Sequence, residues 1–468
     1  MPSPQYLVDR RGLLRVGAAG VAAMAHWASP MIPAARAEPS SGRSGSAPGG
    51  GRAQSVLLVW LSGGPSQLDT WDPKPDAPAE VRGEFSTIAT TISGIRFCEH
   101  LPRMAQQTNR WAIVRTLAHR EHNHLLATHV GLTGRPTPIP RGGSDLDRVE
   151  SRSDFPNMAA ALDFVRPRRD GVPSGVSLPN YFIEGPLTWP GQHAGFLGPK
   201  HDPWQIQGDP NDEAFRMQAL TMRDGVTRER LQSRRELLNR LNQQHHGSFG
   251  AAAQGLHDQQ EMAASLLTSA RVVDAFDMQQ ESKESRERYG RNKFGQSLLL
   301  AKRLVAAGVP VVQAAMGIVQ TWDTHTDNWG RLKNTLLPQL DQGLGALMDD
   351  LDSSGLLQQT LVIVMGEFGR TPKISTLPGQ TVPGRDHWAH TYSGLFAGAG
   401  VLGGQVIGET DSQAAYPVSR PWTPADVCST IFSALGVPED VTITDPLKRP
   451  HHLQNGTVIS PLYTGRSS

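Results

Sequence analysis

Leu361-Val362-Ile363-Val364-Met365 runs straight into Gly366-Glu367-Phe368-Gly369-Arg370-Thr371, and a loop later the chain reads Gly384-Arg385-Asp386-His387-Trp388-Ala389-His390. Five consecutive apolar residues without alternation describe a strand covered on both faces, as in a parallel sheet flanked by helices. Upstream, a second apolar run ends in Trp322-Asp323-Thr324-His325. Carboxylates and imidazoles that follow such strands collect at the carboxyl edge of an open sheet, where α/β folds place their ligand crevices. Oxygen and nitrogen donors gathered there can hold a divalent ion. Singly, each residue has a plainer reading, Glu367 as a partner of Arg370 and Asp323 or Asp386 as an Asx-turn residue. Their recurrence after successive strands points to a shared site made from Asp323, His325, Glu367, His387 and His390.

Working outward, further apolar runs at Ser55 to Leu61, Trp111 to Val114, Asn180 to Glu184, Val309 to Ala314 and Tyr392 to Ala397 read as strands. Leu336, Leu337, Leu340, Leu344, Leu347 and Leu351 recur at three- and four-residue steps, predicting a sheet-covering helix between Leu332 and Leu351 that starts close to Pro338. Thr423-Pro424-Ala425-Asp426 opens a last helix, with Thr423 as N-cap and Pro424 at its first position. The class is α/β, a mostly parallel central sheet between helices. Residues from about 211 to 307, rich in Arg, Glu and Gln, read as a helical insertion, with helices over Arg228 to Gln244 and Arg271 to Ala306 and a solvated character. Near the start of the fold, Asp69 and Asp72 follow the Gly63-Gly64 turn, and His119, His122, His124 and His129 follow the strand at Trp111.

The amino terminus carries Asp9-Arg10-Arg11-Gly12-Leu13-Leu14-Arg15, a short Ala/Gly-rich apolar stretch and a small-x-small site at Ala35-Arg36-Ala37. This is a twin-arginine export pattern, and it implies a periplasmic or secreted protein. The apolar run breaks at His26 and Pro30, too soon for a transmembrane anchor. Residues 1–37 are expected to be removed, 38–53 to form a flexible linker, and 54–468 to form the folded unit. The formal charge is +1 for the whole chain. Loss of four Arg and one Asp with the signal takes it to −2, so no global field favours nucleic acid or an anionic membrane. Cys98 and Cys428 allow at most one disulfide.

Taken together, the twin-arginine start, Leu61-Ser62-Gly63-Gly64-Pro65-Ser66-Gln67-Leu68-Asp69-Thr70-Trp71-Asp72-Pro73-Lys74, Leu132-Thr133-Gly134-Arg135, Gly366-Glu367-Phe368-Gly369-Arg370-Thr371-Pro372 and Gly384-Arg385-Asp386-His387-Trp388 resemble the secreted bacterial family called domain of unknown function 1501, over nearly all of the mature chain. That family in turn resembles sulfatases and alkaline phosphatases, which implies a metal site at the strands' carboxyl ends and ester hydrolysis as the reaction class. Carried over residue by residue, Asp69, Asp323, His325, Glu367, His387 and His390 are the implied metal ligands. Three features depart from the pattern, the first being that no paired Asp directly ends the first strand. Glu367-Phe368 stands where Asp-His is usual, and the position of the sulfatase Cys or Ser, nine residues before Thr133, is His124.

An imidazole cannot become a formylglycine, so the resemblance leaves direct attack by a metal-activated water, or nucleophilic or proton-transfer roles for His124 and His122. Arg370 or Arg385 is the expected anion-binding fork, and Ser66 and Thr128 are hydroxyl alternatives. The expected cofactor is a divalent ion, with Zn, Mn and Fe suited to mixed ligands and Ca or Mg to a carboxylate-dominated site. The expected partner is a small-molecule or saccharide ester. The competing expectation is a non-catalytic metal-binding or scaffold protein on the same fold. A carbohydrate-binding module built on Trp189, Trp204 or Trp322 is a third reading, without a supporting spacing.

Overall fold

A computed structural model describes residues 47–137, 152–215 except 169, 185 and 186, parts of 227–240, and 269–465. The export segment, most of the linker and the expected helix from Arg228 to Gln244 lie largely outside these residues. Five of the six runs read as strands form the middle of an eight-stranded sheet. Its members are β1 (Ser55–Trp60), β2 (Ala112–Leu117), β3 (Gly175–Leu178), β4 (Trp204–Gln205), β5 (Val311–Ala315), β6 (Thr360–Met365), β7 (Tyr392–Ala397) and β8 (Gln405–Ile407). Their order is β8-β2-β7-β6-β1-β5-β3-β4. Only β7 runs against its neighbours, β6 and β2; every other pairing is parallel.

Alternate residues of β1 enter opposite cores. Leu57 and Val59 join a cluster with Leu298, Leu299 and Leu304 of α3 (Lys293–Ala306) and Leu340, Leu344 and Leu347 of α4 (Leu337–Ser353). Val56, Leu58 and Trp60 face Leu125 and Leu132 of α1 (His124–Thr133), Met158 and Leu162 of α2 (Met158–Val165) and Ile431 of α5 (Pro424–Ala434). Each fully buried Leu, Ile or Val contributes about 1.5–3 kcal/mol, so the two-sided burial of β1 and β6 is what makes them the centre of the fold. The free thiols of Cys98 and Cys428 sit in these two separate cores, on opposite faces of the sheet.

Four expectations are corrected and one, the helix starting close to Pro338, is borne out. The sheet strand expected at Asn180 to Glu184 is Gly175–Leu178, and Ile183–Glu184 instead pairs with Leu187–Thr188 in a small ribbon. The sheet-covering helix does start close to Pro338, as an α-helix over Leu337–Ser353, and π-helical turns over Leu332–Leu336 lead into it. The span Arg271 to Ala306 is three α-helices and one 3-10 turn, interrupted where Asp277 and Ser282 cap new turns and where Gly290 adopts φ 89°. Its last helix, α3, is not solvated; Leu298, Leu299, Leu300 and Leu304 are fully buried. At the start, residues 50–53 are tied to the fold, with Gly51 and Ala53 N–H donating to the carbonyls of Ser433 and Ala434.

Candidate metal centre

Sheet polarity brings distant segments together. β1, β5 and β6 are parallel and in register, with Trp60 opposite both Ala315 and Met365. β2 runs in their direction, and β7 runs against them, with Leu117 of β2 opposite Tyr392 of β7. The segments after β1, β2, β5 and β6, and the segment before β7, therefore meet at one edge. Gly366 lets two of them touch, since a Cβ there would lie 2.5 Å from Pro65 and 2.7 Å from the Leu61 carbonyl. Gly63, at φ 109°, turns its N–H onto Glu367 Oε1 at 2.8 Å. His124 opens α1, whose N-cap Asn123 accepts from the Leu125 and Leu126 amides.

At this edge three imidazoles surround one carboxylate oxygen. The Nε2 atoms of His325, His387 and His124 lie 3.0, 3.2 and 3.4 Å from Asp323 Oδ1. Each opposite nitrogen is held by an oxygen acceptor: His325 Nδ1–H donates to Asp386 Oδ1 at 2.7 Å, His387 Nδ1–H to the His122 carbonyl at 2.7 Å, and His124 Nδ1–H to Glu367 Oε1 at 2.7 Å. Ser375 Oγ donates to the other oxygen of Asp386 at 2.9 Å. Outer acceptors of this kind fix the tautomer and turn the Nε2 lone pair inward, as around histidines that bind metals.

The electrostatics follow. Burial opposes charge on Asp323, but the surrounding imidazoles, whenever their Nε2 carries a proton, and the Arg370 guanidinium, 2.6 Å away, hold its pKa far below the usual carboxylate range. His124 is penalised by burial, yet Asp323 and Glu367 outweigh this and raise its pKa. Asp323 raises that of His325, whereas burial lowers that of His387. The 3.0 Å approach of His325 and His387 Nε2 agrees, since only one of the two can carry the shared proton.

The residues present fit a divalent cation. His124, Asp323 and His387 offer ligand atoms within 4.8 Å of one another. His124 Nε2, though near Asp323, is not aligned to bond it, and with Glu367 Oε2 it is a buried polar atom without a hydrogen-bond partner. Leaving such an atom unpaired costs about 1–3 kcal/mol, and a cation bound between His124, Asp323 and His387 would relieve that cost at His124 Nε2.

The other expected residues fall into distinct places. Glu367 stands behind His124 as its acceptor, and its loop is held by neutral His119, whose Nε2–H donates to the Glu367 carbonyl at 2.6 Å and whose Nδ1 accepts from Glu121 N–H. Asp69 lies away from the cluster, accepting from Arg385 Nε at 2.8 Å, Ser66 Oγ at 2.6 Å, Asn328 Nδ2 and Trp329 Nε1. His390 packs against His122, Trp388 and Tyr416 rather than the carboxylate. His122 supplies its carbonyl to His387 while its ring is exposed. Neither expected arginine fork faces outward: Arg370, fully buried, donates to Asp323 and to the carbonyls of Gly63, Gly64 and Arg385. Arg385, also fully buried, donates to Asp69 and to the carbonyls of Val81, Thr371 and Pro372. Ser66 is engaged by Asp69. The outer role of Asp386 and the nearby ring of Tyr416 went unassigned by the sequence; the position of Asp386, beside His387, was its only signal.

Fold and site define an α/β protein with a histidine and carboxylate centre at the carboxyl edge of its sheet. Residues 53–463 match the family described as "Protein of unknown function (DUF1501)", and the chain belongs to that family. No curated protein matches it. Among solved structures it is similar to Ps i-CgsB in complex with a neocarrahexaose, at 12% identity and TM-score 0.42, covering 88% of this chain and 77% of that one. It is similar to a protein of the alkaline phosphatase superfamily from Vibrio parahaemolyticus, at 11% identity and TM-score 0.37, covering 84% and 69%. A sulfatase from Pseudoalteromonas sp. is similar at 13% identity and TM-score 0.36, covering 83% and 68%. Among the described residues, no helix is long and apolar enough to cross a membrane.

Proposed function

We propose that the chain is an exported, metal-dependent hydrolase of sulfate or phosphate esters. The observation that carries this reading is the convergence of three Nε2 atoms on Asp323 Oδ1, each with its Nδ1–H already committed to an outer oxygen. His124, Asp323 and His387 would hold the ion, with His325 beside them. Such an ion supplies Lewis-acid polarisation of an ester oxygen and a water nucleophile near neutral pH.

The chain's own groups do the rest. Glu367, Asp386 and the His122 carbonyl keep the imidazoles in one tautomer and orientation, and Arg370 fixes the Asp323 carboxylate. Among the described residues, no side-chain hydroxyl or thiol is hydrogen-bonded to Asp323, His124, His325 or His387, so the nucleophile in this reading is water. In this reading His122, whose carbonyl holds His387 and whose imidazole is exposed, gives a proton to the departing alcohol. Export rests on the twin-arginine pattern at Arg10 and Arg11. The inward commitment of Arg370 and Arg385 favours a second reading, a metal-binding protein without turnover.

Elemental analysis of folded wild type and Asp323→Asn, with turnover of aryl sulfate and phosphate esters, tests both. Near-stoichiometric metal and turnover, lost together in the variant, are expected. Metal without turnover leaves the non-catalytic reading, and no metal in folded wild type after reloading refutes both.

A further inference from the structure

Beside the centre lies a group of rings of which the hydrolytic reading uses only His122. Trp388 follows His387 in the short ribbon Gly369–Arg370/His387–Trp388. Its indole packs edge-on against His390, with centroids 4.8 Å apart, and against Tyr416 at 5.5 Å. His390 also meets Tyr416 at 5.4 Å and His122 at 4.9 Å. Tyr416 is 50% exposed. The cluster is fixed in place. Trp388 Nε1–H donates to the Ala415 carbonyl at 2.6 Å, and Asp411 accepts from the Ala415 and Tyr416 amides at 2.8 and 3.2 Å. It is also tied to the centre, because His122 holds His387 through its carbonyl while its ring rests on His390.

We propose that Trp388, His390, Tyr416 and His122 form a rim subsite for a pyranose ring bearing the sulfate or phosphate ester. This rests on the hydrolase reading for the position of the ester, but not for the chemistry of the rim. In this proposal the part of the ligand away from Asp323 lies beside the ribbon that carries His387 and Trp388. A sugar offers apolar C–H faces with hydroxyls at the edge, and these rings offer apolar faces with Nε2, Nδ1 and phenol groups at theirs. A nucleobase would want a slot between parallel rings. Here the interplanar angles are 77° for Trp388 and His390, 67° for Trp388 and Tyr416, and 37° for His390 and Tyr416, so none of these pairs is a parallel slot.

The test is calorimetric binding to the protein as purified, with turnover followed in parallel. The probes are pyranose monosulfates and monophosphates, inorganic sulfate and phosphate, and nucleoside 5′-monophosphates. Sugar esters are expected to bind about tenfold or more tighter than the inorganic anions, and Tyr416→Ala to remove that gain while leaving inorganic anion binding unchanged. Trp388→Phe, which keeps a ring but loses the tie to Ala415, is expected to fall between. The proposal is overturned if sugar esters bind no tighter than inorganic anions, if Tyr416→Ala weakens both alike, or if nucleotides are preferred. Tyr416-dependent binding without turnover supports the rim and sinks the hydrolase. Hydrolysis of aryl esters without sugar preference does the reverse.

Discussion

Replacing Asp69 by asparagine asks whether the carboxylate after β1 serves the fold or an ion. Its side chain is out of contact with water and accepts from Ser66, Asn328, Trp329 and Arg385. Arg385 is just as buried, and among the described residues Asp69 is its only ion-pair partner. Asparagine keeps the shape but removes the counter-charge and turns an amide donor toward other donors. Breaking one side of a buried pair costs about 3–5 kcal/mol, a large part of a total stability of about 5–15 kcal/mol. At roughly 2 °C per kcal/mol for a large domain, the melting temperature falls by about 6–10 °C. The assay is thermal unfolding by circular dichroism on metal-loaded and chelated protein, with elemental analysis at 20 °C. Asp69→Asn is expected to melt lower in both states yet keep its metal. An unchanged melting temperature with metal lost would refute this reasoning and make Asp69 a ligand.

Two further outcomes follow from geometry. Burial lowers the His119 pKa to about 4, from about 6.5 in an unfolded chain. Unfolding then takes up a proton between those values, so the stabilisation is complete above pH 6.5 and is lost as pH falls toward 4, by up to about 3 kcal/mol. Urea titrations of wild type and His119→Gln at pH 7.5 and 4.5 should show a steeper loss in wild type; parallel losses would show that His119 is not held neutral. Gly366→Ala places a methyl against Pro65 and the Leu61 carbonyl, and is expected to cost about 1–3 kcal/mol, read as a lower urea midpoint. Wild-type stability in this variant would mean that the segments after β1 and β6 do not touch.

Strand identity was legible where apolar runs are continuous, because burial on both faces leaves no alternation to misread. Thus Leu361 to Met365 and Tyr392 to Ala397 were located to within one residue. Short edge strands were not: Trp204–Gln205 and Gln405–Ile407 have too few residues to carry a period. Gly175–Leu178 was displaced toward the more apolar-looking Tyr181 and Phe182. The buried face of α3 was hidden by the charge-rich residues around it, although Leu298, Leu299 and Leu300 were there to be read.

For the site, the sequence determined which residue types stand at the ends of strands, and so named Asp323, His325, His387 and His124 as chemically competent. Residue type and proximity to a strand's end are local properties, written in the chain. Which of the candidates meet was decided only by tertiary structure. The strand order and the reversal of β7 bring segments around residues 63, 124, 323, 367 and 387 to one edge. Packing then sends Asp69 to Arg385 and His390 to the aromatic rim, because a buried guanidinium must be paired and a flat ring buries best against other rings.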